Sequence, residues 1–266
     1  MHIGKKIRME RLCNRSTKRT IIVPMDHGVT VGPIPGLADA RKAVAEVAEG
    51  GADAVLMHKG LVRCGHRTSG RDVGLILHLS AGSCLAPSGN SKVLAASVED
   101  AVRLGADGVS VHVNMGDVAE DRMLADLGRI ASDAESWGMP LLAMVYARGP
   151  KIKNSFDPDL VAHSARLAME LGADIVKVPY CGDIDSFNRV VESCCIPVVI
   201  AGGEKMDNTR AFLQVVHDSI LAGGSGLSVG RNVFQHPRPR MLVAALSGLV
   251  HANWTVDQAL AVVGEN

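Results

Sequence analysis

The sequence predicts a single-domain α/β protein over residues 1–266, a (β/α)8 TIM barrel. Three observations carry that expectation. Eight short apolar runs are spread along the whole chain, amphipathic segments separate them, and a Gly-Ala-Asp motif entering an apolar run occurs three times. Runs that are apolar throughout, rather than alternating, belong to strands covered on both faces; strands alternating with helices make such a sheet parallel. Eight strand–helix units in a chain of about 250 residues fit a closed barrel, whereas a doubly wound open sheet uses fewer strands. No Pro/Gly/Ser-rich linker divides the chain.

Taken in order, "MHIGKKIRMERLCNR" lacks an apolar core of signal-peptide length. Its segment 3–14 is read as a helix closing the barrel floor. The strands are "TIIVPMD" (20–26), "DAVLMHK" (53–59), "GLILHLSA" (74–81), "DGVSVHVN" (107–114), "PLLAMVY" (140–146), "DIVKVPY" (174–180), "IPVVIAGG" (196–203) and "SGLSVGRN" (225–232). Between them, "LADARKAVAEVAEGG" and "NSKVLAASVEDAVRLG" place apolar residues at helical spacing and end on glycine, the residue that best closes a helix.

The repeat reads "GADAVLMH" (51–58), "GADGVSVH" (105–112) and "GADIVKVP" (172–179), on the second, fourth and sixth strands. Lys177 therefore shares a register with Leu56 and Ser110. Alternate barrel strands contribute to one interior layer, so this register places Lys177 inside the barrel, near the C-terminal mouth. A lysine shielded from water is costly as an ammonium unless paired. Desolvation favours the neutral amine, which adds to carbonyls as Schiff-base lysines do. The alternative is a strand-end lysine reaching a rim carboxylate.

Lys plus Arg and Asp plus Glu number 28 each, and aromatics are only 3%, so neither a nucleic-acid nor a membrane-surface role is favoured. No window has the length and apolarity of a membrane span. The six cysteines form no CxxC pattern and read as reduced thiols, which implies a cytoplasmic protein.

Barrel chemistry sits where strands end. Asp26 ends the first strand and Tyr146 the fifth, so a lysine, a tyrosine and an aspartate converge at one mouth. An aldolase needs that set: an amine to hold a ketone, and groups that move protons. Read singly, Tyr146 is equally a rim aromatic and Asp26 a cap for the following loop. After the seventh and eighth strands come Gly202-Gly203 and Gly230-Arg231, where barrels often hold phosphate on backbone N–H groups. "GGSG" (223–226) ends a helix instead of opening one and is a poor dinucleotide fingerprint. His27, His58, His78 and His112 also lie near strand ends, and three of them would make a zinc site; no HxH or HExxH spacing supports this. A sugar-phosphate-binding barrel without catalysis is the third reading.

With these residues in view, the chain resembles the DeoC/FbaB-type class I aldolases, and within them the aminoheptulosonate-synthase branch and related aminohydroxybenzoate-pathway aldolases. The resemblance runs over nearly the whole length, through "VPMDHGVTVGP", "DVGLILHLSAG", "VSVHVNMG", "WGMPLLAMVYARG", "ADIVKVPYCGD", "VVIAGGEK" and "VGRNVFQH". It implies catalysis by Lys177 as the Schiff-base residue with Tyr146 and Asp26 moving protons, and no metal or other cofactor. It also implies phosphate held by Gly202, Gly203, Gly230 and Arg231. His27, Lys59, His112 and Arg148 are further candidates for substrate lining. The implied substrates are a phosphorylated ketose donor and an aldehyde, L-aspartate 4-semialdehyde, with a fructose-bisphosphate aldolase as the alternative. Relatives of this fold form rings, so a homo-oligomer is expected. Val178, Pro179 and Cys181 after the lysine, Ala147 and Glu204 depart from the branch's usual pattern.

Overall fold

The computed structural model describes residues 2–65 and 69–264. Its strands are β1 (Thr20–Pro24), β2 (Ala54–Met57), β3 (Gly74–His78), β4 (Ser80–Ala81), β5 (Val93–Leu94), β6 (Gly108–Met115), β7 (Leu141–Ala147), β8 (Ile175–Val178), β9 (Val198–Ala201) and β10 (Gly226–Ser228). Eight of them, in the order β1-β10-β9-β8-β7-β6-β3-β2, close into a parallel barrel. The helices are α1 (Ile3–Leu12), α2 (His27–Val31), α3 (Ala40–Gly50), α4 (Lys59–Gly65), α5 (Val98–Arg103), α6 (Glu120–Ser136), α7 (Pro158–Glu170), α8 (Ile184–Glu192), α9 (Thr209–Leu221), α10 (Arg231–Phe234), α11 (Pro239–Ala252) and α12 (Val256–Val263). No helix among the described residues is long and apolar enough to cross a membrane.

The repeated Gly-Ala-Asp has a mechanical role. Its glycines adopt left-handed backbone, with φ of 106° at Gly51, 71° at Gly105 and 96° at Gly172, and so end a helix at little steric cost. Its aspartates then fasten the neighbouring strand. Asp53 donates its N–H to the Ile21 carbonyl at 3.0 Å, while its carboxylate accepts the Ile21 N–H at 2.7 Å. Asp107 grips Leu75 and Asp174 grips Leu141 in the same two-handed way. Each repeat thus sets the register of an adjacent strand pair.

The same three carboxylates anchor the barrel floor. Lys5 of α1 bonds Asp174 at 3.0 Å and Glu135 at 2.6 Å; Arg11 bonds Asp107 at 2.5 Å and Asp72 at 3.0 Å. His251 of α11 bonds Asp53 at 3.0 Å. Burial works against the Lys5 ammonium, yet its two carboxylate partners win and raise its pKa above that of a free lysine. Leu12 plugs the space between these pairs. A side chain at Gly108 would come within 2.9 Å of it, and one at Gly74 within 3.1 Å, so glycine at both positions makes room for the plug.

Above Leu12 the interior is apolar, built from Ile22, Leu56, Ile76, Leu142, Ile175 and Val199. A larger apolar layer lies between the strands and the helices. Towards the C-terminal ends of the strands the interior becomes polar, with His78, Ser110, Asn114, Lys177 and Ser228 all buried.

Three sequence expectations need correction. The run 74–81 is not one strand: β3 stops at His78, and Ser80–Ala81 leaves the barrel to pair antiparallel with Val93–Leu94. The segment 90–105 is helical only from Val98, where Ser97 and Asp100 form a reciprocal cap. The eighth strand ends at Ser228, because Gly230 opens the one-turn helix α10 that carries Arg231.

Candidate active site

Register builds the site. His112 of β6, Met144 of β7, Lys177 of β8 and Val199 of β9 pair in succession and share the inner face. The Lys177 side chain runs up this face and is only 7% exposed. Its amine lies 4.0 Å from the Met144 sulfur, a weak acceptor, and no carboxylate among the described residues stands within ion-pair distance. A rim salt bridge, the structural alternative for this lysine, is therefore not formed.

Asp26 follows β1 and is about one-fifth exposed, with His27 Nδ1 3.6 Å from one oxygen and His78 Nε2 3.7 Å from the other. Burial alone would favour the protonated acid. The surrounding His78, His27, Lys177 and His58 outweigh it and bring the pKa down to about 2. His78 itself is enclosed: burial lowers its pKa to about 4 against the pull of Asp26, and its Nδ1 meets Ser110 Oγ at 2.8 Å.

On the opposite wall, Tyr146 pairs in register with Asn114. The His112 ring lies 5.1 Å from the Tyr146 ring, and the Arg148 guanidinium sits over it, 4.2 Å from the centroid. His112 Nε2 contacts Asn114 Oδ1 at 3.0 Å. Burial, helped by His78, Lys92 and Arg148, holds His112 well below the usual histidine pKa, so imidazole is its form at neutral pH.

Between β9, β10 and the end of β1, glycines let the backbone pack closely against its neighbours. A side chain at Gly202 would meet Val229 at 2.4 Å, and one at Gly230 would meet His27 at 2.5 Å and the Pro24 carbonyl at 2.6 Å. Arg231 Nη2 donates to the Gly203 carbonyl at 2.8 Å, and Asn232 Nδ2 donates to the carbonyls of Gly202 at 2.9 Å and Glu204 at 3.0 Å. These bonds hold the loop in place. His27 Nδ1, Ser228 Oγ and Arg231 Nε, all on this side, are buried without a hydrogen-bond partner. Buried polar atoms left over in a native fold call for an explanation, and polar groups of a ligand supply one.

The structure thus gathers Asp26, His27, His112, Tyr146, Arg148 and Lys177 at one mouth, flanked by the glycine loops. Lys59 does not join them: half-exposed on α4, it reaches Asp100 at 3.5 Å. Among the described residues no three His, Cys, Asp or Glu side chains converge as metal ligands; the histidines engage Ser110, Asn114 and Asp26 or pack against other rings. Sequence reasoning gave no role to His78 beside Asp26, and missed Lys92 altogether. The turn-forming cluster "APSGN" (86–90) was the available signal that the chain loops over the mouth there.

Comparison with known proteins supplies the context for this geometry. Residues 20–236 match the DeoC/LacD family aldolase model. The chain is 43% identical to a 2-amino-3,7-dideoxy-D-threo-hept-6-ulosonate synthase of Halobacterium salinarum, over 98% of this chain and 97% of the relative. It is 39% identical to a 2-amino-4,5-dihydroxy-6-oxo-7-(phosphonooxy)heptanoate synthase of Streptomyces griseus, over 98% and 95%. Among solved structures, a Schiff-base-forming fructose-1,6-bisphosphate aldolase superposes with a TM-score of 0.85 at 33% identity, over 93% of this chain and 100% of that one. An archaeal fructose-1,6-bisphosphate aldolase with its catalytic lysine bound to a carbinolamine intermediate superposes with a TM-score of 0.83 at 33% identity, over 92% and 99%.

Proposed function

The chain belongs to the DeoC/LacD family of aldolases and is a class I aldolase, and from that premise we propose that Lys177 forms an imine with a phosphorylated ketose donor and joins part or all of it to L-aspartate 4-semialdehyde. The observation that carries this reading is the buried Lys177 amine, facing a polar mouth with a thioether as its nearest partner.

In the proposed sequence, the Lys177 amine adds through its nitrogen lone pair to the donor's ketone carbon, and the carbonyl oxygen leaves as water after receiving two protons. The resulting iminium draws electrons from the adjacent carbon. Loss of a proton there, or cleavage of a carbon–carbon bond, leaves an enamine. The enamine carbon attacks the aldehyde carbon, whose oxygen takes up a proton, and water then releases the product and restores the amine. Asp26, held as a carboxylate, accepts protons and returns them; Tyr146 serves the oxygen at the reacting carbon. Gly202, Gly203, Gly230 and Arg231 hold the phosphate, which the leftover donors on that side support.

The products named for the relatives support these substrates. Cutting 2-amino-4,5-dihydroxy-6-oxo-7-(phosphonooxy)heptanoate between C4 and C5 by a reverse aldol step gives aspartate semialdehyde and dihydroxyacetone phosphate. The same cut in the 3,7-dideoxy product gives aspartate semialdehyde and a hydroxyacetone unit, so a phosphorylated donor there leaves its phosphate on the departing fragment. Both fit one imine mechanism, the first as direct addition and the second as transaldolase-type transfer. Ile3 and Ile7, exposed on α1, support assembly of the barrel into a homo-oligomer. Incubation with aspartate semialdehyde and either dihydroxyacetone phosphate or a deoxyhexodiulose phosphate, followed by product mass analysis, tests the proposal. A seven-carbon amino keto acid is expected. Turnover of fructose bisphosphate with no amino-acid product from either donor overturns it.

A further inference from the structure

One buried cation at the mouth has no role in the chemistry above. Lys92 lies on the β4–β5 excursion and is 7% exposed, yet its amine has only a long contact, 3.5 Å, to the Gly82 carbonyl. No carboxylate among the described residues is within ion-pair distance of it. A buried ammonium without a counter-ion is costly, so it persists where something else neutralises it.

Its surroundings point into the site. Asn114 Nδ2 donates to the Asn90 carbonyl, and Arg122 Nη2 donates to Ser91 Oγ at 2.7 Å and to the Lys92 carbonyl at 3.4 Å, so this stretch is tied to both β6 and α6. Asn114 in turn contacts His112, beside Tyr146, and Arg148 lies over the Tyr146 ring. The Lys92 amine reaches towards the Gly82 carbonyl, on the stretch that leaves the mouth after β3 and β4, and burial together with the Arg148 charge lowers its pKa. Two cations therefore stand on the wall opposite the glycine loops, while Asp117, the buried acid on this side, is bonded to Ser88 and to the Ala119 N–H.

We propose that Lys92, with Arg148, forms a second anion-binding position that receives the anionic end of the aldehyde substrate while the glycine loops hold the donor phosphate. This deepens the Schiff-base reading and rests on it. An anion fixed at each side of the mouth orients the two substrates with their reacting carbons between, over Lys177. The shared ligand chemistry is an oxyanion at the far end of an aldehyde, either the carboxylate of a semialdehyde or the phosphate of an aldose phosphate.

The test compares acceptors at one fixed donor. In the native protein, kcat/KM for succinic semialdehyde should exceed that for butanal, its uncharged counterpart, by roughly ten- to hundredfold. Lys92→Met should collapse this ratio towards one, and Lys92→Arg should restore much of it. Imine trapping by borohydride at Lys177 checks that each variant is folded and competent. A parallel series with glyceraldehyde and glyceraldehyde 3-phosphate distinguishes a carboxylate from a phosphate as the preferred anion. Equal use of charged and uncharged acceptors by the native protein overturns the proposal without any variant. So does an unchanged ratio in Lys92→Met. Absence of trapping with every donor instead removes the Schiff-base reading beneath it, and trapping at Lys92 itself overturns both.

Discussion

The two ends of the barrel treat charge in opposite ways. At the floor, Lys5, Arg11 and His251 each meet one of the three repeat carboxylates, and those carboxylates also satisfy strand N–H groups. At the mouth, Lys177 and Lys92 are buried with only a sulfur or a distant carbonyl, and polar atoms of His27, Ser228 and Arg231 are left over. Stability explains the floor, where Lys5, Arg11 and His251 each find a carboxylate inside the chain. The mouth is expensive for the folded protein by itself, and such expense is where ligand binding and catalysis are found.

If this contrast is right, substitutions at the mouth change rates and those at the floor change stability. The largest effect belongs to Lys177→Met, which should lower kcat/KM by about four orders of magnitude or more, since the covalent step is lost. Steady-state assay beside a melting curve checks that the fold persists. Tyr146→Phe and Asp26→Asn come next, each costing roughly 10²–10⁴-fold in kcat, the range for a positioned acid or base. At the floor, Asp174→Ala removes the grip on Leu141 and one partner of Lys5. It should cost about 2–3 kcal/mol, or roughly 4–10 °C in Tm, with kcat/KM nearly native. A large loss of kcat/KM in folded Asp174→Ala would erase the distinction between the two ends.

A further effect, spread over a range of conditions, is one of pH. His78 has a folded pKa of about 4, against 6.5 for the free side chain, so between those values the unfolded chain binds a proton that the folded chain excludes. Stability is therefore intact above pH 6.5 and falls as the pH drops towards 4, by up to roughly 3 kcal/mol. Thermal melts across this window should show a shallower fall for His78→Asn than for the native protein. Identical slopes would mean that His78 is not held neutral by its burial.

Much of the mouth was legible in the sequence because barrel geometry converts strand-end positions into neighbours. The repeat gave Lys177 its inward register, and the strand ends placed Asp26 and Tyr146. The floor was legible only as a helix near the right place. That Lys5 would find Asp174, or Arg11 find Asp107, depends on contacts between segments far apart in the chain, to which local periodicity is blind. The β4–β5 excursion was hidden for another reason. Its apolar residues, Val93 and Leu94, continue into the helical spacing of α5, so a hairpin arm read as the first turn of a helix. Lys92 was lost with it. Lys59 shows the converse: a strand-end lysine that register does not carry into the barrel, because it begins α4 and turns to Asp100.

The imine proposed at the buried Lys177 amine is open to direct capture. Reduction with borohydride in the presence of dihydroxyacetone phosphate or a deoxyhexodiulose phosphate, followed by peptide mapping, addresses it directly. A donor-derived mass is expected on the peptide containing Lys177, and its loss in Lys177→Met. A stable adduct on Lys92, or none on any lysine with every donor, would contradict it.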